Sequence, residues 1–335
     1  MAKRKTTKAN NSSKILLYTA WGLALIALVL SSFVAGYYFG VDDTRTEAKQ
    51  TQSVEKEKRL ALLKKIEESA KKSKEKEESV NKRLQEVLKK ESINYVSASH
   101  EVEDDSLANP PEQSAKEIKL TTSKPRLTII IDDVGTASQV KAIKSLKIPL
   151  TMSFLPPSPR RPNTPKLAAK ESIYMVHLPM EAQNFSAEEP FTLRVNDSQE
   201  LITDRVTEIK RLFPKVEYIN NHTGSKFTAN ETAMNRLVFA LNRNHINFID
   251  SRTTAQTQAP TVLKNFGLNY VARDVFLDHH MEKDYVLGQI KIAIKVAKSH
   301  GSAIAIGHPH KNTLQALYES KKLLKEVDLV YINRL

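Results

Sequence analysis

The chain of 335 residues has no cysteine. Disulfides, thiol nucleophiles and thiolate metal sites are therefore excluded, and histidine and carboxylate are the strong metal ligands that remain. The absence suits either a reducing compartment or an envelope protein that does without disulfides. Charge is missing from residues 15–40, and acid is missing from residues 1–14, which hold Lys3, Arg4, Lys5, Lys8 and Lys14. At a helical rise of about 1.5 Å per residue the uncharged run is about 39 Å long, enough to cross a hydrocarbon core of about 30 Å with some tilt. A cleaved signal peptide has a shorter apolar core, about 7–15 residues, so a retained transmembrane anchor is expected. With the basic tail inside and Asp42, Asp43 and Glu47 beyond the run, the expected topology is single-pass in the cell inner membrane. The N-terminus is then cytoplasmic and the C-terminal bulk periplasmic or otherwise extracytoplasmic.

Glycine and proline are absent from residues 47–91, where Lys, Glu, Ala, Leu and Gln dominate. Residues 41–91 are accordingly expected to form a long charged helix. Leu63, Ile66, Ala70, Ser73, Glu77, Val80, Leu84 and Val87 trace a stripe at spacings of three and four, but its middle is polar. That pattern predicts a plain helix or a weak coiled coil that needs a protein partner or self-association. Residues 92–124, with Asn109-Pro110-Pro111, read as a flexible linker. The net charge is +13, of which residues 121–335 carry about +9. On an exported domain this argues against nucleic acid as a partner and fits an anionic envelope polymer or membrane surface.

Residues 125–335 show a recurrence of short apolar runs that end in an ionisable residue. Run 127–131 precedes Asp132-Asp133, 173–176 precedes His177, and 216–219 leads to His222; 246–249 precedes Asp250, 270–272 precedes Arg273-Asp274, and 303–307 precedes His308. Such runs read as strands buried on both faces of a parallel sheet. Strands are expected at 127–131, 150–155, 173–176, 216–220, 246–249, 269–272, 302–307 and 327–332. Helices are expected near 136–146, 197–212, 231–244 (capped by Asn230), 259–266, 284–299 and 312–325. Seven or eight β/α units predict an α/β fold, a deformed or incomplete (β/α)7-8 barrel. An open doubly wound sheet is the alternative, but no G-x-G-x-x-G or other glycine-rich phosphate loop follows the first strand. The carboxyl ends of parallel strands converge on one face, so Asp132, Asp133, His177, His222, Asp250, Asp274 and His308 are candidates for one cleft. Asp133-Val134-Gly135-Thr136 has a second possible use, as a turn that caps the next helix.

The segments Ile130-Ile131-Asp132-Asp133-Val134-Gly135, His177-Leu178-Pro179-Met180-Glu181, Asn221-His222-Thr223-Gly224-Ser225, Phe248-Ile249-Asp250-Ser251-Arg252 and Ile306-Gly307-His308-Pro309 resemble the divergent polysaccharide deacetylase family. The resemblance covers roughly residues 125–332. It implies a deformed β/α barrel, a divalent metal with zinc as the first expectation, and hydrolysis of N-acetyl groups on an amino-sugar polymer. Carried over, Asp132 is the catalytic base, Asp133 a metal ligand, and His308 the acid that protonates the leaving amine, with His310 as a substitute. The ordinary deacetylases have two histidines at i and i+4, whereas here His177 is followed by Glu181. Either Glu181 supplies an oxygen ligand or His222 completes the set; Asp133, His177 and His222 are favoured, because three ligands leave a position open for water. Asp250 and Asp274 are expected to orient histidines, and Arg252 to hold Asp250 or fix a carboxylate. The expected function is a membrane-anchored hydrolase acting on a cell-envelope polymer, with peptidoglycan suggested by topology. The alternative is a catalytically inactive binding or scaffold module in cell-wall remodelling or division.

Overall fold

A computed structural model describes residues 20–37, 124–185 and 187–335, together with Lys64 and Glu68, which are helical. The expectations for the basic tail, for the rest of the charged helix 41–91 and for the linker up to residue 123 lie outside the described residues. The chain divides into two units, Met1–Glu77 and Glu78–Leu335. In the first, helix α1 (Ala20–Tyr37) has 18 residues and a mean hydropathy of 1.9, long and apolar enough to cross a membrane. The same properties suit a signal sequence near the N-terminus.

The second unit alternates strands and helices: β1 (Arg126–Val134), α2 (Ala137–Ser145), β2 (Thr151–Phe154), α3 (Thr164–Ala168), β3 (Met175–Met180), α4 (Gln199–Leu212), β4 (Tyr218–Thr223), α5 (Ser225–Thr228), α6 (Glu231–Arg243), β5 (Asn247–Ile249), α7 (Ala259–Asn265), β6 (Val275–Phe276), α8 (Lys283–His300), β7 (Ser302–Gly307), α9 (Lys311–Glu319) and β8 (Asp328–Leu329). The strands pair in the order β5-β4-β3-β2-β1-β7-β6, all parallel, and β8 pairs with β1. The ends of this curled sheet meet through one bridge, Asp250 to Ala272. The result is a deformed, incompletely closed β/α barrel.

Side-chain alternation divides the apolar residues between two layers. Leu127, Ile129 and Ile131 of β1, Val176 and Leu178 of β3, and Ala303 and Ala305 of β7 pack outward among the helices. Ile130, Met175, Ile249, Ile304 and Ile306 point inward, where Ile332 joins them. Continuing the inward series by twos leads from Ile130 to Asp132, from Met175 to His177, and from Ile304 and Ile306 to His308. Hydrophobic register therefore aims one ionisable residue from each of β1, β3 and β7 into the barrel mouth.

Helix ends follow their sequence signals. Asn230 caps α6 by accepting from Ala233 N at 2.9 Å, and Ser198 caps α4 by accepting from Leu201 N at 3.2 Å. Three boundaries differ from expectation. Residues 269–272 form no strand; Tyr270 is turned to Asp250 (3.0 Å), and only the Ala272 bridge remains before β6 begins at Val275. The expected strand 327–332 shrinks to β8, because the chain turns at Ile332–Arg334 and inserts Ile332 into the inner layer. The expected helix 312–325 stops at Glu319 and resumes as a tighter turn at Leu323–Glu326. Conversely, β3 and β4 run on to Met180 and Thr223, which puts His177 and His222 inside strands rather than after them.

Gly224 follows β4 with φ of 97°, and a Cβ there would come within 2.9 Å of Met180 Cβ. Gly224→Ala is expected to cost about 1–3 kcal/mol through backbone strain and overlap, read as a lower Tm; an unchanged Tm contradicts this packing.

Candidate metal centre and active site

Strict alternation would send Asp132 and Asp133 to opposite faces of β1. The register of β1 against β2 shifts between Ile131 and Val134, and Asp133 has φ of 56°. This bulge turns the second carboxylate toward the barrel as well. The neighbouring capping work is done elsewhere: Gln139 N donates to Thr136 Oγ1 (3.2 Å), while Gln139 Oε1 accepts from Gly135 N (2.8 Å) and Thr136 N (3.0 Å). Asp133 is thus not spent on the turn, and neither of its buried oxygens has a hydrogen-bond partner.

Those oxygens face histidines. His222 Nδ1 lies 3.0 Å from Asp133 Oδ1, and His177 Nε2 lies 3.6 Å from both Asp133 Oδ1 and Asp132 Oδ2. The His222 contact is close but misaligned, so His222 Nδ1 is also left without a hydrogen bond. Buried donor and acceptor atoms that converge without bonding one another are what a shared cation would satisfy. Ligand atoms of Asp133, His177 and His222 all lie within 4.8 Å of one another, and the three side chains are nearly fully buried. Asp-His-His is a donor set for a divalent ion.

Two further groups flank this set. Asp132 Oδ2 accepts from Asn220 Nδ2 (2.8 Å), and Asn220 Oδ1 in turn accepts from Ser153 Oγ (2.6 Å). His308 Nε2 sits 3.8 Å from Asp133 Oδ2, while its Nδ1 lies 3.0 Å from Asp278 Oδ1. Asp278 Oδ2 also accepts from His308 N (2.7 Å) and Thr313 Oγ1 (2.6 Å). A cavity of about 30 Å³ opens among Asp132, His177, Ser251, Arg273, Phe276 and His308.

Burial pushes the Asp132 carboxyl up to about 8, against the pull of His308. Burial acts on Asp133 in the same direction, but the adjacent His222, His308 and His177 win and hold it well below the usual carboxylate range. Burial and the neighbouring His222 press His177 down to about 3, so its ring is neutral and has a lone pair to give. Burial alone would lower His308; the Asp278 carboxylate overcomes it and raises the imidazole to about 9. Asp278→Asn is therefore expected to drop the His308 pKa below about 9, with burial left unopposed. An NMR titration of the ring checks this, and an unmoved midpoint contradicts the pairing.

The remaining sequence candidates stand apart from the centre. Glu181 pairs with Lys226 (2.6 Å) and accepts from Val195 N (2.9 Å), tying a loop rather than facing the histidines. Asp250 accepts from Arg252 N, Thr257 Oγ1 and Tyr270 OH at 2.8, 2.8 and 3.0 Å, which fastens the barrel seam and orients no histidine. Arg252 holds Asp250 through its backbone, and its guanidinium donates to Arg273 O (3.2 Å). Asp274 accepts from Ile304 N (2.8 Å). His310 begins α9 with its ring centre 5.7 Å from that of His308. Asp278, His308 and His310 also meet the distance condition for a metal, but Asp278 already has three donors.

Asn220, Asp278 and Arg273 were assigned no role from sequence. Each is a polar residue embedded in an apolar strand or beside one, a position that demands partners. Arg273 is fully buried, donates to Ser251 O (2.7 Å) and Arg252 O (2.9 Å), and lies over the Phe276 ring at 4.9 Å.

A sequence profile described as divergent polysaccharide deacetylase matches residues 129–335. The chain belongs to that family. Among its relatives, an uncharacterized protein of Haemophilus influenzae is 32% identical over 216 residues, covering 64% of this chain and 77% of that protein. The uncharacterized protein YibQ of Escherichia coli K12 is 34% identical over 199 residues, which cover 58% of this chain and 61% of YibQ. The crystal structure of an uncharacterized protein from Agrobacterium tumefaciens C58 superposes with a TM-score of 0.57 at 18% identity, covering 71% of this chain and 94% of that one. That likeness shows the fold alone, a deformed and incompletely closed β/α barrel.

Proposed function

We propose that this divergent polysaccharide deacetylase is a membrane-anchored, metal-dependent hydrolase that removes N-acetyl groups from an amino-sugar polymer of the cell envelope, with peptidoglycan as the polymer within reach. The observation that carries the reading is the buried Asp133, His177 and His222 set, whose ligand atoms lie within 4.8 Å of one another while both Asp133 oxygens and His222 Nδ1 have no hydrogen-bond partner. The donor chemistry fits a divalent cation, and zinc suits two imidazoles and one carboxylate. When bound, such an ion supplies Lewis acidity toward a carbonyl oxygen and makes water more acidic. The uncharged run 15–40 behind a basic tail supports an anchor with its C-terminal domain outside the cytoplasm.

The chain's own residues divide the proton work. Asp132, oriented by Asn220, takes the proton of the attacking water. His308, held by Asp278 with Nε2 toward the centre, gives a proton to the departing nitrogen as the C–N bond breaks. One acetamide and one water thus become acetate and a free amine. The base must be deprotonated and the acid protonated, so the rate rises with pH through the Asp132 pKa, about 8, and falls through that of His308, about 9. Positive charge beside Asp133 moves both limbs downward without changing their assignment. The pH profile of acetate release from N-acetylglucosamine oligomers tests this division: a bell whose alkaline limb shifts to lower pH in Asp278→Asn is expected, and a profile indifferent to that change contradicts it.

A further inference from the structure

Helices of a β/α barrel run back against the strands, so their last turns lie at the end of the domain opposite the Asp/His cluster. Apart from the single turn α5, every helix from α2 to α8 has a basic residue in its last turn. The helix macrodipole accounts for a bias of that kind. It does not account for Lys124, Lys147, Lys170 and Lys215, which are exposed, lie outside helices and occupy the segments leading into β1, β2, β3 and β4 in turn. Contacts join them into one face: Lys215 Nζ donates to Ala169 O (3.3 Å), Lys124 Nζ to Lys325 O (3.1 Å), and Arg126 Nη1 to Arg334 O (2.8 Å). Acids on this face are partly neutralised, Glu171 by Lys144 and Glu326 by Lys298. The cleft end differs, since α4, α6 and α8 carry Glu200, Glu231 and Asp284 in their first turns, the last beside Lys283. On the basic face a groove of about 340 Å³ has Ile148, Ile173 and Tyr331 in its wall, with Lys144 and Lys147 beside them.

We propose that this basic face docks on anionic lipid headgroups, so that the cleft points away from the bilayer. The inference rests on the anchoring part of the proposed function, not on the chemistry. Two observations favour lipid over an anionic glycan as the occupant. The described domain begins at Lys124, on this same face, and the sequence before it leads back to the apolar helix α1. A glycan whose acetamide reaches His177 and His308 must instead approach the other end of the barrel. Lysines close to an anionic surface each strengthen docking about fivefold at physiological salt, and the attraction decays within about 8 Å in solution.

The absence of cysteine makes the test direct. The full chain, carrying a fluorophore on Ser172→Cys at the groove or on Thr232→Cys in the first turn of α6, is placed in nanodiscs that contain spin-labelled headgroups. In discs with about one-third phosphatidylglycerol, the Ser172→Cys probe is expected to be quenched and the Thr232→Cys probe spared. Quenching should fall in phosphatidylcholine discs, at high salt, and in K147E/K170E, where the docking constant drops at least about 25-fold. Equal quenching at both positions, or in neutral and anionic discs alike, overturns the proposal. So does a Ser172→Cys probe that stays unquenched on lipid but is shielded by soluble peptidoglycan fragments, which assigns the face to the polymer. Co-elution of the chain with neutral discs reports the anchor separately, and acetate release in the same sample reports the chemistry.

Discussion

Asp132→Asn is expected to lower acetate release by about 10²–10⁴-fold, the range that a positioned general base supplies. The exchange is nearly isosteric, and the amide oxygen can still accept from Asn220 Nδ2, which now lies 2.8 Å from Asp132 Oδ2. Folding and metal content should therefore survive, as circular dichroism and metal analysis would show. This separates a lost base from a lost site. The effect should fall on kcat rather than on KM, because Asp132 acts on the proton that moves in the transition state. An Asp132→Asn chain that turns over at the parent rate removes Asp132 from the chemistry and favours a binding module built on this fold.

His177→Ala and His222→Ala are each expected to release the divalent ion, with an affinity loss beyond the roughly 10–100-fold that removal of an outer hydrogen-bond partner costs. Both rings are buried, and each points a nitrogen at Asp133 Oδ1, at 3.6 and 3.0 Å. Removing either leaves the Asp133 carboxylate facing fewer compensating groups, so these variants should also lose most of the Tm increase that zinc gives the parent chain. His310→Ala is the control and should keep its metal, since His310 stands at the start of α9 and outside the convergent set. Zinc stoichiometry by elemental analysis, with a thermal shift on added zinc, reads both effects. Retention of one ion per chain in His222→Ala would move the centre elsewhere, with the Asp278 cluster the next to examine.

Much of this centre was legible because side chains of a buried parallel strand alternate with a two-residue period. Ile130 with Asp132, Met175 with His177, and Ile306 with His308 obey that rule, so the inward residues could be named from sequence. Asp133 breaks the period. Its inward turn depends on a bulge and a positive φ; its place after the run 127–131 made it a cleft candidate, but strand period alone would have sent it outward. Asp250 misled in the opposite way: it ends an apolar run as the others do, yet β5 is the edge strand at the barrel seam, and its carboxylate closes that seam through Tyr270 and Thr257. Asp278 is hard to read from sequence because Asp278-His279-His280 lies on an irregular segment, whose adjacent residues announce no common direction. Its role depends on β7 bringing His308 alongside, a contact 30 residues away in sequence. Segment 269–272 had strand-like residues but no partner strand, and pairing is settled by the sheet rather than by local preference.

The most direct test is acetate release from N-acetylglucosamine oligomers by the full-length chain, stripped of metal and then supplied with one equivalent of zinc. Equal amounts of acetate and free amine, formed with zinc and not without it, are the predicted result. An ion that binds at Asp133, His177 and His222 while neither product forms would contradict the hydrolase account and leave a metal-holding, non-catalytic member of the family.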